Sequence, residues 1–328
     1  MIIALWSLLL LTTFAVQMGV MVRQKATLVH RLDEREQRHA IAEAGVKTAI
    51  VQLRKEDAFA EADFLGERWS DQIDTFKDIH VGKGSFTVSY DYDDGEFSRV
   101  MYGLQDEESK INLNKAGLDV IIGLLQEASG MDRSKAEELA YCIIDWRDQD
   151  SFFQHPQYGA EDSDYKNLRD AYEAKDADFE ILEELLLVHK MDQEIFDKIR
   201  RFVTIYGEGM ININTAPREV LLALGLTSRV VDDILRFRKG AAMIAGTGDD
   251  EIFLQPATIV PRLSQVFDMA PSDISVLSNL VATDQFVTQS SHFTVRSVAK
   301  LDGKKGPTTT IIAVAERTGQ IKYWREEM

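Results

Sequence analysis

The stretch Ile111-Asn-Leu-Asn-Lys-Ala-Gly-Leu-Asp-Val-Ile-Ile122 recurs one hundred residues later as Ile211-Asn-Ile-Asn-Thr-Ala-Pro-Arg-Glu-Val-Leu-Leu222. In each copy Asn114, Asn214 or the adjacent Thr215 is placed to cap a following helix, and Pro217 falls in the first turn, where a missing N–H costs nothing. A short break follows (Gly130-Met-Asp132; Gly225-Leu-Thr227), then a second helix ending in Asp145-Trp-Arg147 or Arg236-Phe-Arg238. Each copy therefore reads as two helices joined by a turn. A third helical pair, Phe179–Val188 and Gln193–Phe202, is expected between them, so residues 106–240 are predominantly helical. Residues 241–260, with Gly246-Thr-Gly-Asp-Asp250, read as a loop.

Strands flank this block. Phe86, Val88 and Tyr90 alternate with polar residues, Asp93-Asp94-Gly95 supplies a turn, and Val100, Tyr102 and Leu104 resume the alternation, which predicts a hairpin over 85–104. Three more strands are expected at His292–Lys300, Thr308–Glu316 and Gln320–Trp324, separated by glycine-containing breaks. Strands on both sides of a helical block share one sheet most simply if the block is an insertion. The fold class is α+β.

The N-terminus is of another kind. From Met1 to Val22 there is no charged residue and apolar side chains dominate. A helix of that length spans roughly 33 Å, against a bilayer core of about 30 Å. A secretory signal peptide would have a shorter apolar run between a basic start and a small-residue cleavage site; this run passes straight into Arg23-Gln-Lys25 and reads as a retained membrane helix. Arg23, Lys25 and Arg31 would by themselves put the following side in the cytoplasm. Helix formers continue to Asp57 with no proline, and Leu28, Leu32, Ala42, Val46, Ala49 and Leu53 recur on one stripe. Residues 1–57 thus predict a single helix about 80 Å long.

Composition removes several functions. Lys plus Arg number 37 against 54 for Asp plus Glu, a net charge of −17, which opposes a phosphate-binding surface and suits divalent cations. Helix-hairpin-helix modules that grip DNA use a Gly-x-Gly turn; here Asp132 and Thr227 stand in place of the second glycine, and nucleic-acid binding is rejected. No nucleophile elbow, phosphate loop or dinucleotide fingerprint is present, and no enzyme is expected. Cys142, the single cysteine, lies among Ala140, Tyr141, Ile143 and Ile144 and reads as a buried thiol. His30, His39, His80, His155, His189 and His292 show no paired zinc spacing.

The chemically suggestive segment is Asp145-Trp-Arg-Asp-Gln-Asp150 with Gly159-Ala-Glu-Asp-Ser-Asp-Tyr165, which gathers six carboxylates within twenty residues. One reading is a solvated acidic face. The other is a cation site, because Trp146, Phe152, Phe153 and Tyr165 are interleaved with the acids and packed carboxylates repel unless a cation or protons intervene. Hard oxygen donors on a loop suit calcium better than zinc or copper. The segment is no EF-hand: counted from Asp148, the fifth position is Phe152 and the sixth is not glycine.

The long N-terminal helix, the helical insertion, the two Ile-Asn-x-Asn-x-Ala segments and the Asp-Trp-Arg-Asp…Gly-Ala-Glu…Tyr loop together resemble the K-type minor pseudopilins of type II secretion. The resemblance implies a pilin-like long helix on a small antiparallel sheet, with a large helical (helix-hairpin-helix, SAM-like) domain inserted between strands. It divides the chain into a membrane helix (1–22), a pilin-like helix and first hairpin (23–105), an inserted domain with the acidic loop (106–206), and a second helical hairpin with the closing strands (207–328). It implies an inner-membrane protein with a periplasmic head and a leader cut by a prepilin peptidase. The chain opens directly on the apolar run, so cleavage site and first mature residue stay unassigned. Members of this family lack the glutamate that most pseudopilins carry at the fifth mature position, and Met1–Val22 contains no acid. The implied partners are I- and J-type minor pseudopilins and the filament of the major pseudopilin, which the head would cap. Calcium is the implied ion, with Asp145, Asp148, Asp150, Glu161 and Asp162 on the family's acidic pattern. The alternative is a type IV pilus minor pilin or tip adhesin.

Overall fold

A computed structural model describes residues 1–56, 61–93, 98–303 and 306–327. Helix α1 runs unbroken over Ile2–Glu56; Asp57, the predicted last helical residue, lies outside the described residues, as do Asp94 and Gly95 of the predicted turn. Then come α2 (Ile73–Phe76), β1 (Ile79–Val81), β2 (Gly84–Val88), β3 (Tyr90–Asp93), β4 (Ser98–Met101) and β5 (Gln105–Asp106). The inserted block holds β6 (Ile111–Asn112), α3 (Leu118–Ser129), α4 (Arg133–Arg147), α5 (Asp162–Lys166), α6 (Gln193–Ile199), β7 (Val203–Thr204), β8 (Ile211–Asn212), α7 (Arg218–Ala223), α8 (Ser228–Arg238), α9 (Ile259–Val266), α10 (Pro271–Ala282) and β9 (Phe286–Val287). Strands β10 (His292–Leu301), β11 (Thr309–Glu316) and β12 (Ile321–Glu327) close the chain.

The main sheet is antiparallel in the order β1-β2-β10-β11-β12, and β5 pairs with the start of β10. Along β10, Phe293, Val295, Ser297 and Ala299 face inward, the two-residue period of a half-buried strand. They meet Ala42, Val46, Ala49 and Leu53 of α1, together with Phe86, Val88, Ile311 and Ala313. The stripe holds there but not below: Leu28 and Leu32 are exposed, because the head covers α1 only from about Ile41 onward. Where the helix crosses the sheet, a side chain on Gly45 would have its Cβ 2.2 Å from Ser297 Oγ and 2.9 Å from Phe86. The close approach of helix to sheet therefore depends on the missing side chain.

The predicted 85–104 hairpin is divided. Ser89 breaks the strand; β2 joins β10, while β3 and β4 form a separate two-stranded ribbon. Alternation alone could not show this, since both halves keep the period of two. The ribbon leans on the inserted block, with Arg201 paired to Asp93 at 3.1 Å and Arg99 donating to the Ala245 carbonyl.

The repeat is realised twice in nearly the same form. Strand β6 pairs in parallel with β7, and β8 with β9. The asparagines do not cap helices: Gly117 and Pro217 occupy those positions, without side-chain bonds. Instead Asn114 makes a two-way bond with the main chain of Phe179, donating to its carbonyl and accepting its N–H, and Asn214 does the same with Phe253. Arg147 and Arg238 then donate to the carbonyls of Ala116 and Ala216. The residues standing where a second glycine was lost are the true caps, Asp132 receiving the Lys135 N–H and Thr227 the Val230 N–H. One apolar cluster runs through both copies, from Ile111 to Phe286. The third pair is shorter than predicted, a 3-10 turn at Leu182–Leu187 and α6. The predicted loop over 241–260 ends in the 3-10 turn Pro256–Thr258 and the start of α9.

Candidate metal centre

Helix α4 buries Leu139, Ala140, Cys142, Ile143 and Trp146 and delivers Asp145 and Asp148 at its C-terminal end. Asp145 is fully buried and acts as a brace across the loop: Oδ1 accepts the Gln154 N–H (3.2 Å) and Oδ2 the Ala160 N–H (3.1 Å). Gly159, at φ +98°, permits this approach; a Cβ there would lie 2.0 Å from Asp145 Oδ2. Trp146 and Tyr165 pack edge to face at 5.2 Å beneath the loop and form its floor, whereas Phe152 and Phe153, also interleaved with the acids, are exposed.

Beyond the brace, ligand oxygens of Asp148, Asp150 and Glu161 lie within 4.8 Å of one another. Glu161 opens α5 and is 2% exposed, yet among the described residues neither of its carboxylate oxygens has a hydrogen-bond partner. Asp148 Oδ1 is likewise unpartnered, while Oδ2 accepts from Gln154 Nε2 at 2.9 Å. Asp150 is exposed and accepts the Phe152 N–H. Leaving buried carboxylate oxygens unpaired costs several kcal/mol, and a divalent cation at their centre removes that cost.

Electrostatics agree with the geometry. Burial, reinforced by Asp145, Asp148, Asp176 and Asp150, pushes the Glu161 carboxyl up to about 8. Burial likewise raises Asp145 to about 6 and shifts Asp148 upward. These groups are crowded by like charge, and the cation that Asp148 does feel, Arg147, donates instead to the Ala116 carbonyl.

Of the five residues predicted as ligands, three are brought together. Asp145 is spent on the brace, and Asp162 turns away, bonded to Lys166 Nζ at 2.7 Å and to the Ala174 N–H at 3.0 Å. Sequence reasoning missed Asp176, which stands at φ +50° with Oδ1 buried and unpartnered, its charge felt by both Asp148 and Glu161. Its only signal was a non-glycine acid in Lys175-Asp-Ala-Asp178, and the intervening turn hid the proximity. All candidate donors are carboxylates; His155, the loop's one imidazole, stacks on Tyr158 at 4.6 Å. An all-oxygen set fits calcium or magnesium and excludes a zinc site of the thiolate–imidazole kind.

A helix with an uncovered apolar end long enough to cross a membrane, an antiparallel sheet wrapped on its other end, and a helical insertion carrying an acidic loop define a pilin-like subunit. Residues 103–208 match the family model of type II secretion system protein K. The whole fold is similar to a chain in the crystal structure of the GspK-GspI-GspJ complex from the type II secretion system of enterotoxigenic Escherichia coli, with 16% identity, a TM-score of 0.69, and coverage of 92% of this chain and 99% of that one. No curated protein sequence matches the chain. Neither match points to a type IV pilin or an adhesin.

Proposed function

We infer that this chain is a minor pseudopilin of type II secretion, a structural subunit that works by shape and attachment rather than by catalysis. The carrying observation is the coincidence of a protein K segment at 103–208 with its placement as an insertion in a pilin-like sheet on a single apolar helix. Residues 1–22 anchor the protein in the inner membrane, 23–105 and the closing strands of 207–328 form the stem, and the domain from 106 onward is the periplasmic head. Its partners are I- and J-type minor pseudopilins, with the head above them at the filament tip and no room for a further subunit beyond it. Co-expression with I- and J-type pseudopilins should yield a stable ternary complex; a chain that purifies alone under those conditions overturns the assignment.

The acidic loop is a structural calcium site, with Asp148, Asp150 and Glu161 as carboxylate ligands, Asp176 beside them, and Asp145 holding the loop in shape. Calcium at about 100 times its dissociation constant adds about 2.7 kcal/mol, so chelation is expected to lower Tm by about 5–10 °C. Asp148→Ala with Glu161→Ala should abolish that response; equal melting with calcium and with chelator sinks the site.

The response also depends on pH. In the metal-free fold Glu161 keeps its proton up to about 8, whereas an unfolded chain releases it near 4.5. Stability from this group is therefore full below pH 4.5 and lost as pH rises through about 8. Calcium must displace the proton, so its stabilising effect is expected to grow from pH 6 to 8.5 and then level off. Melting curves with and without calcium across that range check this, and Glu161→Gln should flatten the dependence.

A further inference from the structure

The first 32 residues contain no acid at all, and their only charged side chains, Arg23, Lys25 and Arg31, follow directly on the apolar run. All three are exposed, and the sheet does not cover α1 at this level. At 3.6 residues per turn, Arg23, Thr27, His30 and Arg31 share roughly 100° of arc, and Lys25 lies on the opposite side. Positive charge thus lies on both sides of the helix within about the first two and a half turns beyond the apolar run.

We propose that Arg23, Lys25 and Arg31 form a collar that binds the phosphates of anionic phospholipids in the leaflet on the head's side of the membrane. This rests on the reading of Met1–Val22 as a membrane span. Charge and reach carry it. With Val22 at the edge of the hydrocarbon, Arg23 and Lys25 lie in the headgroup layer, and Arg31 stands about 13 Å further along the axis. Helical Cα–Cβ bonds tilt toward the N-terminus, so each long side chain leans back toward the bilayer and its stem lies along the helix while the charge meets phosphate. The rest of the molecule repels an anionic surface: the chain is −17 overall, while this segment is +3, from three cations and no acid. The collar is what lets so acidic a protein stand on an anionic membrane, and its charge fixes the depth of the helix.

Spin-labelled phosphatidylglycerol and phosphatidylcholine, each added to phosphatidylcholine vesicles carrying the full-length chain, report which lipid the helix immobilises. The expected result is a preference for phosphatidylglycerol of at least about fivefold, the factor one basic residue supplies at such a surface. High salt should remove it, R23Q/K25Q/R31Q should reduce it to parity, and R23K/R31K should retain it, since charge and not fork geometry is used. Equal immobilisation of the two lipids by the native chain, or a preference untouched by the triple substitution, overturns the collar. An immobilised population for neither lipid overturns the span itself, and the collar with it. Head melting unchanged in the triple variant excludes misfolding as the cause of a lost preference.

Discussion

Gly103→Ala is expected to destabilise the stem by about 3–5 kcal/mol. Gly103 passes under the Trp69–Ser70 main chain, and a Cβ would stand 2.2 Å from the Trp69 carbonyl oxygen and 2.4 Å from that of Ser70. These are backbone atoms, so no rotamer change relieves the clash. On either side the loop is tied to the segment joining β4 to β5: Leu104 N–H to Trp69 O (2.8 Å), Gln72 N–H to Tyr102 O (2.7 Å) and Tyr102 N–H to Asp71 Oδ1 (2.9 Å). Trp69 is fully buried and meets Phe293 edge to face at 5.0 Å, so pushing the loop outward disturbs the sheet core as well. Chemical denaturation of the detergent-solubilised protein checks this. Gly248→Ala is the control, since no atom lies within 4 Å of its Cβ, and should stay within about 0.5 kcal/mol. A Gly103→Ala midpoint equal to that of the control refutes the close-packing account.

The second large effect lies at the joint between sheet and insertion. Asn212 is fully buried; its Nδ2 donates to Asp106 Oδ2 (3.0 Å), Ser290 Oγ (2.9 Å) and the Asp63 carbonyl (3.3 Å), and its Oδ1 accepts the Asn214 N–H (3.0 Å). Around it, Thr215 and Ser290 also donate to Asp106, and Arg317 pairs with Asp63. Asn212→Ala removes a donor from a buried carboxylate and should cost about 3–4 kcal/mol. Asn112→Ala, at the matching place in the first copy, should cost only about 1–2 kcal/mol. There the side chain donates to the Tyr206 and Gly207 carbonyls, where water can replace it. Equal losses for the two would mean that the polar network adds nothing beyond the shared repeat geometry.

That contrast shows what the sequence can and cannot convey. The Asn-x-Asn repeats announced two equivalent modules, and their helices and breaks lie where periodicity put them. The job of the asparagines was illegible, because capping is a local event whereas Asn114 and Asn214 bond to Phe179 and Phe253, which no local pattern links to them. The terminal strands and α1 carry strong local signals and were readable to within a residue or two, save that β12 runs three residues past the expected Trp324, to Glu327. Strands β1 and β5 were not, being short and defined by partners rather than by alternation; α9 and α10 were missed although Ile259 and Leu263 of α9 stand one turn apart on a buried face. At the acidic loop, Asp148, Asp150 and Glu161 could be chosen by residue type. That Asp145 would be consumed by the loop's own N–H groups, that Asp162 would turn to Lys166, and that Asp176 would return to the cluster are facts of folding alone.

The pairing of Asp106 with Phe293 has a mechanical meaning. The chain leaves the sheet for its helical block and re-enters it at neighbouring positions on two antiparallel strands, so the block hangs on the stem as a closed side loop. A thrust travelling up α1 runs into β10, β11 and β12 without passing through the block's own helices. The block is therefore carried as freight by the stem and is not a link in its drive shaft. It is free to vary in size without weakening the rod beneath it.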